Sequence, residues 1–293
     1  MQQFSLEKLA YEVIKRASTV LPPDIVRAVR AAYDKEAEGS SAKLAFKAIL
    51  ENVELAAKKA APLCQDTGWP TFHVYHPLGW STARMRREIE ASVAKGVEDS
   101  LLRPNAVDPI SGKNTETCVG TGIPTFYFFE VEGESARIDV LLKGGGCENT
   151  SAQYSLPFAP LKAGRDLEGV RKVVLQAVND AQGKGCSPAF LGIGIGGDRA
   201  YSYALAKKQL FRHIDDKTAD PRLAGLEARI IHDANELGIG PMGFGGACTL
   251  LGAKIGVASR HPACFFVSVA YFCWASRRAS GELQPGGETK VTQ

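Results

Sequence analysis

Residues 183–211 read GKGCSPAFLGIGIGGDRAYSYALAKKQLF. The run Ala189–Ile195 is apolar and bounded by Pro188 on one side and Gly196-Gly197 on the other, the pattern of a short buried strand. Ala200–Phe211 then has the composition of a helix. Working outward, Leu167–Lys184 and Pro221–Leu237 are helical, and Thr249–Ala258 and Ala263–Cys273 read as buried strands. Strands interleaved with helices, with glycines at strand ends, give an α/β or mixed α+β protein.

The N-terminal part extends this reading. Ser5 can cap a helix in which Leu6, Leu9, Ala10, Val13 and Ile14 recur at helical spacing. Pro22-Pro23 opens a second helix to about Asp34, and Ala42–Ala60 forms a third, so residues 1–60 read as a helical layer. Thr71–Tyr75 is a strand and Thr82–Leu102 a helix, with Arg84, Arg86 and Arg87 early in it, most simply a solvated basic face. Residues 103–124 form a long loop. Thr125–Glu132 and Ala136–Lys143, with Gly133 between, are most simply a hairpin. The expected organisation is one catalytic domain, 1–278, with mixed sheets flanked by helices, then a polar tail or linker, 279–293.

Composition narrows the function. Among 293 residues, Lys+Arg 35 against Asp+Glu 32 leave +3, too little to argue nucleic acid. Hydrophobic residues at 45% and charged residues at 23% are those of a globular protein. The opening MQQFSLEKLAYEVIKRAST has no signal-peptide pattern, and Glu7 and Glu12 argue against a mitochondrial presequence. The longest apolar stretch, Ala263–Ala275, falls short of the ~20 residues of a membrane span. The expectation is a soluble, cytoplasmic chain. Seven cysteines without a CxxC argue against a secreted disulfide framework and a zinc ribbon.

Five clusters could carry chemistry, each of which alone is also readable as an ordinary turn. They are Cys64-Gln65-Asp66-Thr67-Gly68; Lys143-Gly144-Gly145-Gly146-Cys147, whose glycines let backbone amides approach an anion; Gly183-Lys184-Gly185-Cys186-Ser187-Pro188; the run GIGPMGFGG at 238–246; and Arg260-His261-Pro262-Ala263 with Cys273 twelve residues after the histidine. Gly192, Gly194 and Gly197 formally fit the dinucleotide fingerprint. Two of them fall inside the strand rather than after it, so this match is set aside.

In this order, the five clusters resemble the class I iron–sulfur fumarate hydratase and L-tartrate dehydratase family, over roughly residues 10–278. The chain is similar to the alpha subunit, equivalent to the N-terminal part of the single-chain enzymes. The resemblance implies a [4Fe–4S] cluster held by Cys64, Cys186 and Cys273 with one iron open to substrate. It implies that Gln65, Arg103 and the backbone at Gly146 bind a C4 dicarboxylate, and that Asp66 and His261 orient the leaving hydroxyl and relay its proton. Cys118, Cys248 and Cys264 read as packing residues, and Cys147 is left outside the ligand set. The implied activity is reversible hydration of fumarate to malate, a tricarboxylic acid cycle step, with tartrate or mesaconate as alternative substrates and a non-catalytic iron–sulfur sensor or scaffold as an alternative of another class. The family's site draws further residues from a second portion of sequence, so a separate beta subunit and a hetero-oligomer are expected.

Overall fold

The computed structural model describes residues 5–293; the leader and helical-layer readings of residues 1–4 lie outside the described residues. In chain order the elements are α1 (Glu7–Thr19), α2 (Pro23–Lys35), α3 (Ser41–Lys59), β1 (Trp69–Pro77), α4 (Thr82–Glu98), β2 (Thr125–Val131), β3 (Ala136–Lys143), α5 (Gly145–Asn149), β4 (Ala152–Ser155), α6 (Leu167–Ala181), β5 (Ala189–Ile195), α7 (Arg199–Gln209), α8 (Pro221–Glu236), β6 (Leu250–Val257), β7 (Phe266–Phe272), β8 (Arg277–Leu283) and β9 (Thr289–Thr292). The protein is mixed α and β, as the strand–helix alternation requires. Its described residues divide into two compact units. One holds the residues through Pro23, Asn52–Gly145 and Arg277–Gln293; the other holds Asp24–Glu51 and Gly146–Ser276. The three opening helices, expected as one layer, are thus shared between the units.

The first unit is built on a five-stranded sheet in the order β2-β1-β3-β8-β9. The expected hairpin of β2 with β3 does not form. Strand β1 lies between them, parallel to β2 and antiparallel to β3. Burial decides this. Nearly every residue of β1 is buried, so it needs a partner on each edge and cover on both faces. Phe72 stacks on Phe126 at 5.6 Å and Tyr75 on Phe129 at 4.9 Å, contacts a β2–β3 hairpin would leave unmade.

Helix α1 covers this sheet with Leu9, Ala10, Val13, Ile14 and Ala17, all buried, and packs on α4 and β8. Leu6 rather than Ser5 is its N-cap, and Ser5 Oγ accepts only the amide of Glu7, at 3.3 Å. Helix α4 ends at Glu98, short of the expected Leu102. Ser100 turns to φ 60°, and the amides of Leu101 and Leu102 both donate to the Gly96 carbonyl. The early arginines of α4 are not merely solvated: Arg84 Nε reaches Glu88 at 2.7 Å, and Arg86 lies 4.4 Å over the Phe126 ring.

The expected polar tail is ordered as β8 and β9. Alternate residues Ala279 and Leu283 are buried, and Gly281 lies so close to Leu9 and Val13 of α1 that an added Cβ would come within 2.6 Å of both. The arginine pair at its start and the glycine within it hide the strand's two-residue period from sequence inspection.

The second unit holds a four-stranded sheet in the order β4-β7-β5-β6, with β5 parallel to β6 and antiparallel to β7. Every residue of β5 is buried. Val170, Val173, Val174 and Ala177 of α6 and Leu226 and Ile230 of α8 join Leu191, Ile193 and Ile255 in its core. Gly192 and Gly194 let α7 approach β5; an added Cβ would strike the carbonyls of Ala206 and Ser202. These glycines are packing spacers, which accounts for the misplaced dinucleotide fingerprint.

Phe72 is fully buried at the centre of the first unit. Phe72→Ala is expected to destabilise that unit by about 3–5 kcal/mol, measured by denaturant unfolding followed through far-UV circular dichroism.

Candidate active site

In the first unit the site grows from the turn Cys64–Gly68, directly before β1. Asp66 forms an Asx turn, its Oδ1 accepting the Gly68 amide at 3.0 Å. Its Oδ2 accepts the Gly145 amide at 2.8 Å. Its main-chain carbonyl accepts Nη1 of buried Arg277 at 2.5 Å. Gly68 has φ +88°, and a Cβ there would lie 2.7 Å from the Leu142 carbonyl carbon of β3, so no other residue fits. The carboxylate of Asp66 is thus engaged in holding the turn, and both of its oxygens carry a backbone amide.

Thr67 is buried, and its Oγ1 accepts the Arg103 amide at 2.8 Å and Asn105 Nδ2 at 3.4 Å. That bond fixes the start of the long loop after α4 against the Cys64 turn. A cleft of about 540 Å³ opens there, lined among others by Cys64, Gln65, Thr67 and Arg103. Gln65 and Arg103 are exposed and Cys64 half-buried. The structure therefore brings three of the residues singled out from sequence, Cys64, Gln65 and Arg103, to one cavity. An exposed guanidinium and amide at such a cleft suit a carboxylate.

The glycine run after β3 is not a flexible turn. It starts the short helix α5, and Gly146 lies in its first turn, where backbone amides have no acceptor within the helix.

In the second unit Cys186 follows a 3-10 turn, Gln182–Gly185, at φ 54°, and is exposed. Two supports shape its loop. Ser187 Oγ donates to the Gly240 carbonyl at 2.6 Å, and the Met242 amide donates back to the Ser187 carbonyl at 2.9 Å. This gives the GIGPMGFGG run its role: it is the bed of the Cys186 loop. The other support is the Tyr271 ring, which packs where a Cβ on Gly185 would be.

Tyr271 also gathers the thiols. Burial pushes its phenol well above the ordinary tyrosine range, and the neighbouring Cys147, Cys273 and Cys186 push it the same way. Cys273 follows β7 directly, and the Trp274 amide donates to the Cys186 carbonyl at 3.3 Å. Cys186 and Cys273 thus share one neighbourhood. Cys147, left out of the ligand set by the sequence reading, lies there too, its Sγ 4.0 Å from the Gly185 carbonyl.

His261 is exposed. Its Nδ1 accepts the Ala263 amide at 3.1 Å, which in the neutral ring leaves the proton on Nε2. Arg260 donates to the carbonyls of His261, Pro262 and Cys264 and lies over the Phe265 ring, so it builds the loop that presents the histidine.

All seven cysteines are thiols. Burial raises Cys118 and pushes Cys248 up to about 12, with the Glu36 charge adding to the latter, as expected of packing residues. Among the described residues no three His, Cys, Asp or Glu side chains close on a point as a metal-ion site. An iron–sulfur cluster is larger than one ion and takes cysteine thiolates, a chemistry that the Cys186 and Cys273 loops of the second unit and the Cys64 turn of the first each offer by themselves. Sequence reading quotes Thr67 within its cluster without a role and misses Arg277 and Tyr271. Only Tyr271 had a usable signal, its place in the β7 run two residues before Cys273.

A sequence model of the family described as fumarate hydratase (Fumerase) matches residues 7–282. The chain is similar to a Geobacillus stearothermophilus protein provisionally named class I fumarate hydratase, 46% identical over 286 residues, which cover 96% of this chain and 56% of that protein. It is 36% identical over 279 residues to a Methanocaldococcus jannaschii protein provisionally named L(+)-tartrate dehydratase subunit alpha, covering 94% of this chain and 96% of that one. It is 32% identical over 269 residues to an Escherichia coli L(+)-tartrate dehydratase subunit alpha, covering 90% and 86%. The chain thus spans little more than half of the fumarate hydratase relative and most of the two named subunits. No helix among the described residues is long and apolar enough to cross a membrane.

Thr67→Val keeps the side-chain shape but leaves the Arg103 amide without its acceptor. The expected cost is about 1–3 kcal/mol, read from denaturant unfolding against the parent chain.

Proposed function

Because the chain belongs to the fumarate hydratase (Fumerase) family, we propose that it is the alpha-type chain of an iron–sulfur hydro-lyase that interconverts fumarate and malate. The observation that carries this reading is the cleft of the first unit, where Cys64, Gln65 and Arg103 meet. Cys64, Cys186 and Cys273 are the residues that would hold a [4Fe–4S] cluster. When bound, the cluster supplies a Lewis-acidic iron that polarises the C–OH bond of the hydroxy acid.

The chain's own residues do the rest. The Arg103 fork pairs with a substrate carboxylate, and the Gln65 side-chain amide donates to it. The Gly146 amide, in the first turn of α5, offers a further donor. Asp66 holds the Cys64–Gly68 turn rigid through its bonds to Gly68 and Gly145. In this reading the Asp66 carboxylate acts on the leaving hydroxyl only while keeping those bonds. His261, with Nδ1 accepting the Ala263 amide, offers Nε2–H as a hydrogen-bond donor that orients the departing hydroxyl, and it relays a proton only when the ring is the imidazolium.

Two further parts of the proposal rest on the relatives. The Geobacillus stearothermophilus relative, 46% identical, bears a fumarate hydratase name, which favours fumarate and malate. Relatives close to this chain in length are named subunit alpha of an L(+)-tartrate dehydratase, which favours a separate beta-type partner and keeps tartrate dehydration as the second reading.

Produced anaerobically with its beta-type partner, the protein is expected to form fumarate from malate. That activity should disappear in air and return with iron and reductant. Turnover of tartrate alone would replace the substrate and keep the chemistry. Arg103→Met should lower kcat/KM at least tenfold, about 1.4 kcal/mol. The chain without its partner is expected to bind the cluster and show little or no turnover; full activity from the chain alone would refute the requirement for a partner.

A further inference from the structure

In the four-stranded sheet of the second unit, β6 runs parallel to β5 and β7 antiparallel to it. The start of β5 and the end of β7 therefore lie at one end of the sheet. The ends of β5 and β6 and the start of β7 lie at the other. Cys186 precedes β5 and Cys273 follows β7, and the Trp274 amide on the Cys186 carbonyl closes that first end. Helix α5, which carries Gly146, stands there too: Cys147 Sγ is 4.0 Å from the Gly185 carbonyl, and Ser151 Oγ accepts the Tyr271 amide at 3.1 Å.

His261 stands at the opposite end, in the loop between β6 and β7. There the Gly197 amide, just past β5, donates to the Ser259 carbonyl at 3.1 Å, and the Leu156 amide, just past β4, donates to the Phe265 carbonyl at 2.8 Å. Strand β7, Phe266–Phe272, separates the two ends and is held extended between β4 and β5. At roughly 3.3 Å per residue it puts about 20 Å between them. That is more than a histidine side chain and a bound four-carbon acid cover together.

The loop itself holds His261 out from the sheet. Arg260 donates to the carbonyls of His261, Pro262 and Cys264, and Arg165 donates to those of Pro262 and Ala263, while residues 259–263 are all exposed. Beside it, Val257 at the end of β6 and Tyr201, which packs against Gly197, are each 57% exposed. A rigid exposed loop flanked by an aromatic and an aliphatic side chain has the makeup of a protein interface.

We infer that His261 works in trans: two copies of this chain pair, and His261 of each serves the iron–sulfur site of the other. Two copies laid antiparallel about a two-fold axis set each His261 end against the other's Cys186–Cys273 end, a closed isologous arrangement. This rests on the iron–sulfur reading above and on the role given there to His261. It adds the partner which that role requires, a second copy of this chain.

The test uses the full chain assembled anaerobically with its beta-type partner. Two differently tagged chains, one His261→Asn and one Cys186→Ser, are produced together, and the mixed pair is purified through both tags. Either variant alone should turn malate over at least tenfold more slowly than the parent. In the mixed pair, one of the two sites joins the intact cysteines of one copy to the intact His261 of the other, so about half of the parent turnover should return. A second readout is independent of turnover. A chain with the photo-cross-linker p-benzoylphenylalanine at position 261 is paired with a chain carrying heavy nitrogen. Illumination should join light to heavy peptides, at residues 143–149 or 183–187 of the heavy chain.

A mixed pair no more active than its two variants, or cross-links confined to one chain or to the beta-type partner, would overturn the arrangement in trans and leave the iron–sulfur reading standing. His261→Asn with the parent's turnover would remove the role of His261, and the proposal with it. A parent assembly that takes up no iron and sulfide would overturn both the proposal and the reading beneath it.

Discussion

Asp66 is held from three directions by hydrogen bonds: its two carboxylate oxygens by the Gly68 and Gly145 amides, and its carbonyl by Arg277. Those donors come from the start of β1, the residues after β3 and the start of β8. The turn can close only where these meet. Gly68 must then lie against the Leu142 backbone, which fixes how β1 enters its pairing with β3. Thr67, the next side chain, takes the Arg103 amide and so sets the mouth of the cleft. Sheet register and cleft geometry in this unit share one local constraint.

The second unit obeys a comparable economy around Tyr271. Its ring occupies the space a side chain on Gly185 would need, and its main-chain amide donates to Ser151 Oγ, which in turn donates to the Cys147 carbonyl. The Cys186 loop, the end of β7 and the start of α5 are thereby tied to one aromatic side chain. Loops that carry thiols are ordinarily mobile. Here they are bedded on a buried ring and on the GIGPMGFGG backbone.

Periodicity was enough to read α1, α2, α3, α6, α8 and β5 close to their true limits, because each buries one stripe or a whole run of apolar residues. The β2–β3 pairing was misread because local proximity in sequence suggests a hairpin, whereas the partner that β2 needs is a strand some fifty residues earlier whose burial is invisible locally. Strand β8 escaped because Arg277 and Arg278, both buried, look like surface residues. At the cleft, Cys64 and Gln65 are legible in the CQDTG turn, and Arg103 only through the family resemblance. Thr67 and Arg277 have no such signal: Thr67 acts by accepting the Arg103 amide and Asn105 Nδ2, and Arg277 by donating to one carbonyl, bonds that any of several polar residues could make. Cys147 lies outside the ligand set that the resemblance implies, while its place beside Tyr271 depends on tertiary packing.

The order β2-β1-β3-β8-β9 also governs how the chain can be made. During synthesis β3 leaves the ribosome long before β8, with more than a hundred residues of other structure between them. Until β8 arrives, one edge of β3 offers unpaired backbone groups, and the apolar face of α1 lacks the strand it packs against. The closure of this sheet is non-local and comes last, which slows it relative to the strand pairs formed from nearby sequence. The first unit, begun first, is therefore the later one to be finished, and its nascent β3 edge is the segment most in need of a chaperone's cover.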